Sequence, residues 1–317
     1  MIKNEKLWDL GRIRFVNMKL ESDKIKLDNF IIEKSSEDDQ EDARRLHPLW
    51  ILSNLAVINT NLRSENPDEI IKKIELIFLL FKTAFTYCAS YELFQIPHGG
   101  NCIPSMTKFI SIPILNVYTI KKDEEEQLKK FCNEVYQKLP KDIVKSEEDY
   151  LIAYWRYYDS LAYSFAIERK ITDIIMGLEA LYSNETDELK YRVKMRIIKL
   201  FNLLNLGYDS LKMAAEIDAA YKIRNKYAHG AATANLKAKI DSEYDGGCNA
   251  LFINVLDYLR KSIILMLFCG ESKKKLIELI DNSLIDSKSE KKLKEILEKC
   301  KNNRDNSLLP LNAKSIK

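Results

Sequence analysis

The decapeptide Tyr221-Lys-Ile-Arg-Asn-Lys-Tyr-Ala-His-Gly230 concentrates the residues of this chain best able to do chemistry, and its histidine is one of three in the protein. Histidine is the side chain that titrates near neutrality, so it can take or give a proton during a reaction. Arg224, five positions earlier, is a permanent planar cation suited to holding negative charge as it develops. The stretch closes a helical run that begins near Asp209. At about 100° per residue, Met213, Ile217, Ala220, Tyr221 and Tyr227 fall on one apolar stripe, with Arg224 near its centre. A guanidinium in such a place needs a partner or a task. Gly230 suits the residue that ends a helix. In a straight helix Arg224 and His229 point about 140° apart, so they share a site only if the backbone bends.

The elements that must position this stretch are mostly helical. The chain has 317 residues, 46% hydrophobic and 31% charged, with only 9 Gly and 7 Pro. That is a globular, helix-leaning composition long enough for two domains. A net charge of +3 is too small to indicate nucleic-acid binding by itself, so any such contact needs a local patch. Cys88, Cys102, Cys132, Cys248, Cys269 and Cys300 include no C-x-x-C pair, which suits reduced thiols in the cytoplasm rather than disulfides or zinc. The start, Met1-Ile-Lys-Asn-Glu-Lys, lacks the apolar core of a signal peptide. The longest apolar runs, Leu76–Phe81 and Ile263–Cys269, are too short to span a bilayer.

Along the chain, residues 1–145 read as a mixed α/β domain. Exposed strands are expected over Gly11–Leu20 and Lys24–Glu33, and a solvated acidic loop over Ser35–Asp42. Asn66-Pro67-Asp68-Glu69 opens a buried helix running through Ile70–Phe81. Strands are expected over Thr83–Ile96 and Ile112–Ile120, with a turn-rich Pro97–Pro104 between them. A charged helix, Asp123–Leu139, stops at Pro140. From Ser146 the pattern is nearly continuous helix. Tyr150–Tyr163 is an aromatic segment suited to a bundle core, and Asp159–Tyr182 and a helix opened by Asp187 and Glu188 follow. The Asp209–His229 helix comes next, then a looser stretch to Gly247 and a core helix Cys248–Phe268. Residues 271–317 read as a charged helical tail with a frayed end. The fold class is α+β: a mixed domain, a helical bundle over 146–270, and this extension.

Gly177-Leu-Glu-Ala-Leu181, then Tyr191-Arg192-Val193, then Tyr221-x-x-Arg-Asn-x-x-x-His-Gly230 resemble, in order and spacing, the Apea-like branch of the HEPN superfamily. The match covers roughly residues 146–270. The resemblance implies a dimerising helical bundle in which the Arg and His of two protomers meet in one cleft. Many members are metal-independent ribonucleases in defence or toxin systems, and others are inactive. On that pattern Arg224, His229 and Asn225 are the expected catalytic set, supported by Tyr221, Glu179 and Arg192.

Glu179 borders an apolar face and either pairs with Arg224 or Arg192 or is simply an acidic residue at the edge of that face. Arg192, Arg196 and Lys199, at i, i+4 and i+7, form either a phosphate track or a salt-bridged face. Lys226 lies off the apolar stripe as a further cation for RNA. His47 and His98 have no Cys, His or paired carboxylate at ligand spacing and read as structural. No phosphate-binding loop, Ser-His-Asp set or zinc signature is present, and no cofactor is expected. Two functions follow: a defence or toxin endoribonuclease acting on RNA as a homodimer, with an inhibitor or sensor protein as a further partner, or a non-catalytic HEPN scaffold that binds RNA, nucleotide or protein.

Overall fold

The computed structural model describes residues 7–46, 55–60, 62–64, 66–84, 86–96, 105–106, 117–140, 143, 148–162, 166–184 and 188–301. His47, His98, Cys102 and Asp187 lie outside them, as do Pro97–Pro104, the start of the strand expected from Ile112, and the last residues of the chain. The chain divides into two compact units, Met1–Lys145 and Ser146–Lys317.

The first unit is α+β. Its elements in order are β1 (Leu7–Val16), β2 (Met18–Leu20), β3 (Lys24–Lys26), β4 (Phe30–Lys34), α1 (Glu37–Leu46), β5 (Leu55–Thr60), β6 (Arg63–Ser64), α2 (Pro67–Phe81), β7 (Tyr87–Ile96), β8 (Ser105–Met106), β9 (Tyr118–Ile120) and α3 (Glu125–Lys138). The main sheet runs β3-β4-β5-β1-β7-β8 with β6 also on β1, and β2 pairs with β9 separately. Pairs in the main sheet are antiparallel, with Ile13 opposite Ile58 across β1 and β5. Only one face of such a sheet needs a cover, and α2 supplies it. Phe78 of α2 meets Phe15 and Phe30 edge-on at 5.5 and 6.2 Å. Each such buried side chain contributes roughly 1.5–3 kcal/mol. Glu75 of α2 accepts the Cys88 amide of β7 at 2.8 Å, which fixes the helix against the strand.

Two expectations for this unit are corrected. The strands over Gly11–Leu20 and Lys24–Glu33 are not exposed throughout: Ile13, Phe15, Met18, Ile25 and Ile32 are buried, while Lys19, Lys24 and Lys26 face solvent. The acidic stretch after Ser35 is α1 rather than a loop. The Ser36 hydroxyl accepts the Asp39 amide and the Asp39 carboxylate accepts the Ser36 amide, a reciprocal cap for the helix start. Asp39 is buried, with Arg12 at 2.8 Å and Arg14 at 3.6 Å, so this apparently solvated acid is neutralised inside the fold.

The second unit is helical: α4 (Asp149–Ala162), α5 (Ile167–Tyr182), α6 (Leu189–Leu203), α7 (Ser210–Ala228), α8 (Ala234–Glu243), α9 (Gly247–Cys269), α10 (Lys273–Asn282) and α11 (Ser287–Lys301). The long apolar α9 forms the core, and α4, α5 and α7 pack around it. Tyr154, Tyr157 and Tyr158 of α4 are buried, so this aromatic segment serves packing. At Gly177 an added methyl would lie 2.7 Å from a Leu259 methyl and 3.3 Å from the Ala153 carbonyl. The glycine lets α5 approach α9 and α4 closely, two residues before Glu179.

Here too the structure departs from expectation. The segment expected over Asp159–Tyr182 does not start at Asp159: Asp159 belongs to α4, and α5 begins at Ile167 with Ala166 as its N-cap. Glu188 is the N-cap of α6 in a left-handed conformation, φ 52°, rather than a first-turn acid. The looser stretch before Gly247 contains α8. The helices after Gly270 are not a separate tail. Leu276, Ile280, Leu293 and Leu297 are buried, and both helices belong to the second compact unit.

Candidate active site

Asp209 starts α7 by accepting the Lys212 amide at 2.7 Å, an ordinary side-chain cap. The helix then buries Met213, Ile217, Ala220, Tyr221 and Ile223. Its last turn leaves the core. Arg224 is intermediate in exposure, while Asn225, Lys226, Tyr227, Ala228 and His229 are exposed. Arg224 therefore sits at the edge of the apolar stripe, not at its centre, and Tyr227 does not continue that stripe.

The helix ends rather than bends before the histidine. His229 is the C-cap, with φ −93° and ψ 10°, and Gly230 adopts φ 66°. The Gly230 amide donates to the Tyr227 carbonyl at 3.0 Å and the Ala231 amide to the Lys226 carbonyl at 2.8 Å. This is the paired bonding of a Schellman end, which requires a left-handed residue just after the cap. The His-Gly pair thus places an imidazole on an exposed helix end.

Arg224 is held from two sides. Its Nη2 donates to Glu179 Oε2 at 3.3 Å, and its Nη1 to Asn225 Oδ1 at 3.1 Å. The Arg224 and Glu179 side chains are 28% and 15% exposed, so the pair lies at the boundary between core and solvent. Burial raises the Glu179 carboxyl, and Arg224 offsets part of that rise. Burial, reinforced by Glu179, pushes the Tyr221 hydroxyl above its ordinary range. Tyr221, Glu179 and Arg224 thus form one electrostatic cluster.

The chain beyond the motif returns to the same helix. Thr233 Oγ1 donates to Glu168 Oε1 at 2.8 Å, and Lys237 pairs with that carboxylate at 2.6 Å. Arg224 and Thr233 are both anchored to α5, so the segment carrying His229 is secured at both ends. No hydrogen bond joins the side chains of Arg224 and His229.

The proposed cationic ridge on α6 is not an open track. Arg196 is buried: its Nη2 lies 2.5 Å from Asp281 Oδ2, its Nε donates to Asp281 Oδ1 at 2.7 Å, and its Nη1 donates to the Tyr182 carbonyl. Lys199 pairs with Glu290 at 2.7 Å. Asp281 and Glu290 lie on α10 and α11, remote in sequence, so the spacing on α6 gave no sign of them. Arg192 is one-third exposed, 3.9 Å from Glu188. Lys226 remains an exposed cation beside the motif.

A second polar cluster was not singled out in the sequence. Asp257, Arg260 and Lys261 of α9 and Glu216 of α7 are each at most 2% exposed. Arg260 Nε donates to Asp257 at 2.9 Å, and Lys261 lies 3.2 Å from the same carboxylate. Tyr208 bonds Asp257, while Tyr258 and Asn254 bond Glu216. Burial pushes Asp257 upward, but Arg260 and Lys261 outweigh it and hold the carboxyl below its ordinary range. The i, i+3, i+4 pattern Asp257-Arg260-Lys261 in an apolar helix is the sequence signal for this cluster. It links α7 to α9.

Among the described residues no group of three His, Cys, Asp or Glu side chains could hold a metal ion, and no helix is long and apolar enough to cross a membrane. In comparisons with protein-family models, curated proteins and solved structures, nothing matches this chain.

Proposed function

We propose that the chain is a metal-independent endoribonuclease of the HEPN type, with Arg224 and His229 as its catalytic pair. The observation that carries the reading is the mounting of Arg224. Glu179 and Asn225 hold the guanidinium at the rim of the core, next to a helix end that presents His229 to solvent. Each terminal nitrogen of a guanidinium has two N–H groups, so one contact on each leaves donors for a phosphate.

In this reading the RNA 2′-hydroxyl loses its proton to a general base and its oxygen bonds to the adjacent phosphorus. The bond from phosphorus to the 5′-oxygen then breaks, and that oxygen takes a proton. The products are a 2′,3′-cyclic phosphate and a 5′-hydroxyl. His229 serves as the acid or base, Arg224 neutralises the charge on the phosphorane, and Asn225 orients the guanidinium. Arg192 and Lys226 contact flanking phosphates. Two protomers supply the full cleft, because one chain does not bring Arg224 and His229 into contact. A cytoplasmic site of action fits Cys88, Cys132, Cys248 and Cys269, none of which forms a disulfide.

A second reading is a non-catalytic module that binds RNA, nucleotide or protein. The missing Arg224–His229 contact favours it for a single chain. Incubating the full chain with mixed RNA and, separately, DNA in chelator, with light scattering in parallel, distinguishes the two. Dimers that cut RNA and leave DNA intact support the nuclease. RNA bound but uncut by a dimer supports the scaffold, and activity from a strict monomer removes the shared cleft.

A further inference from the structure

Resting on the reading of Arg224 and His229 as a ribonuclease pair, we propose that Tyr227 is the platform on which an unpaired base of the substrate stacks, so that the chain selects single-stranded RNA. In the helical unit Tyr154, Tyr157, Tyr158, Tyr182, Tyr221 and Tyr258 are all less than 10% exposed, whereas Tyr191 of α6 and Tyr227 of the motif are open to solvent. Tyr227 is 40% exposed. Among the described residues its ring makes no aromatic contact and its hydroxyl no hydrogen bond. A large apolar ring left open to solvent within a polar helix end has surface to gain from a ligand.

Its position suits a base rather than a second phosphate. Three residues beyond Arg224, it lies about 60° around the helix and about 4.5 Å along it, so the two side chains are neighbours on one face. Two residues later comes His229. A phosphate held by Arg224 therefore leaves its attached nucleotide within reach of the ring. After Gly230 the chain continues as Ala231-Ala232, and the space where a Gly230 methyl would project is open for 4 Å, so no bulky side chain follows the histidine directly. Exposed Lys222 and Lys226 add the positive charge that tracks a backbone. Aromatic stacking beside cations is how single strands are bound without reading sequence. A paired base inside an A-form duplex cannot reach such a ring. Tyr191 and Leu211 are more exposed, at 59% and 82%, but Tyr191 lies on α6, outside the Arg-x4-His element, and Leu211 lies at the other end of α7 and has no π face.

The test uses the full chain with His229→Ala to prevent cutting, and fluorescence anisotropy with three labelled probes: a short single-stranded RNA, an abasic ribose-phosphate strand of equal length, and an RNA duplex. Tyr227→Ala is expected to weaken single-strand binding roughly 5- to 100-fold, the scale of one lost stack. Tyr227→Phe should retain binding, Leu211→Ala should change nothing, and the abasic strand should bind equally weakly with or without the ring. Equal losses on the abasic strand, failure of Tyr227→Phe, or duplex bound as tightly as single strand would overturn the proposal. So would a loss explained by dimer dissociation in light scattering, which assigns the ring to a subunit contact. Wild-type protein that cuts RNA while Tyr227→Ala cuts equally well overturns the stacking role alone. Wild-type protein that neither binds nor cuts RNA overturns the site as well.

Discussion

Arg224 of α7 donates to Glu179 of α5 at 3.3 Å across the rim of the helical core. The contact joins two residues 45 positions apart and fixes the cation that begins the Arg-x4-His element. Burial raises the Glu179 carboxyl in spite of that cation. The folded state therefore holds the Glu179 proton more tightly than the unfolded chain does, and ionising this carboxyl costs stability as pH rises.

From that sign comes the first prediction. Glu179→Gln should leave stability unchanged or slightly higher near neutral pH, while lowering the cleavage rate roughly tenfold by loosening Arg224. Urea midpoints and kcat measured on the same preparation check it. A variant that loses stability and activity in parallel would make Glu179 a structural residue only.

Arg196 and Lys226 should behave in opposite ways. Arg196→Ala removes a buried guanidinium from Asp281 and the Tyr182 carbonyl. It should cost on the order of 2–3 kcal/mol, discounted because the Asp281 carboxylate is partly exposed. Lys226→Ala should leave the melting curve unmoved and weaken RNA binding only a few-fold, most visibly at low salt. Thermal unfolding and salt-dependent binding separate the two.

Gly230 should tolerate Asn better than Ala. At φ 66° a non-glycine residue costs about 1–2 kcal/mol, and Asn is the side chain that best accepts this conformation. Gly230→Ala should also displace His229 and lower kcat, with Gly230→Asn recovering much of the rate. Equal activity in the two variants would show that the helix end does not position the imidazole.

Glu75 makes the amino-terminal unit sensitive to pH. Burial raises its carboxyl from 4.5 to about 7, although the Cys88 amide and Lys72 pull the other way. The folded state binds this proton more tightly, so stability is fully present at low pH and falls as pH rises towards 7, by at most about 3 kcal/mol. Glu75→Gln keeps an acceptor for the Cys88 amide and should flatten the dependence. Chemical denaturation across that window, followed by a signal from the first unit, measures it.

Much of this architecture was legible because its signals are local. The boundary near 145, the buried helix after Pro67, the Asp209 cap and the Gly230 end each depend on neighbours within a few residues. The α1 helix could have been read as well, since Ser36 followed three residues later by Asp39 is a capping pattern. The acidic composition concealed it, because the neutralising Arg12 and Arg14 come from a distant strand. Distance in the chain explains the other departures. Nothing near Arg196 in sequence foretells Asp281, and periodicity cannot show that the last turn of α7 leaves the core. Of the candidate site, the motif and the Glu179–Arg224 pairing could be anticipated. The return of Thr233 and Lys237 to Glu168 could not.

The most direct measurement of the central claim is the chemistry of the RNA ends left by the full chain in the presence of chelator. The account predicts 2′,3′-cyclic phosphates and 5′-hydroxyls, no cut where the attacking 2′-hydroxyl is replaced by hydrogen, and rates lowered roughly a hundredfold or more by His229→Ala and by Arg224→Ala. Fragments with 5′-phosphates, cleavage that requires added magnesium, or undiminished cutting by both variants would contradict it.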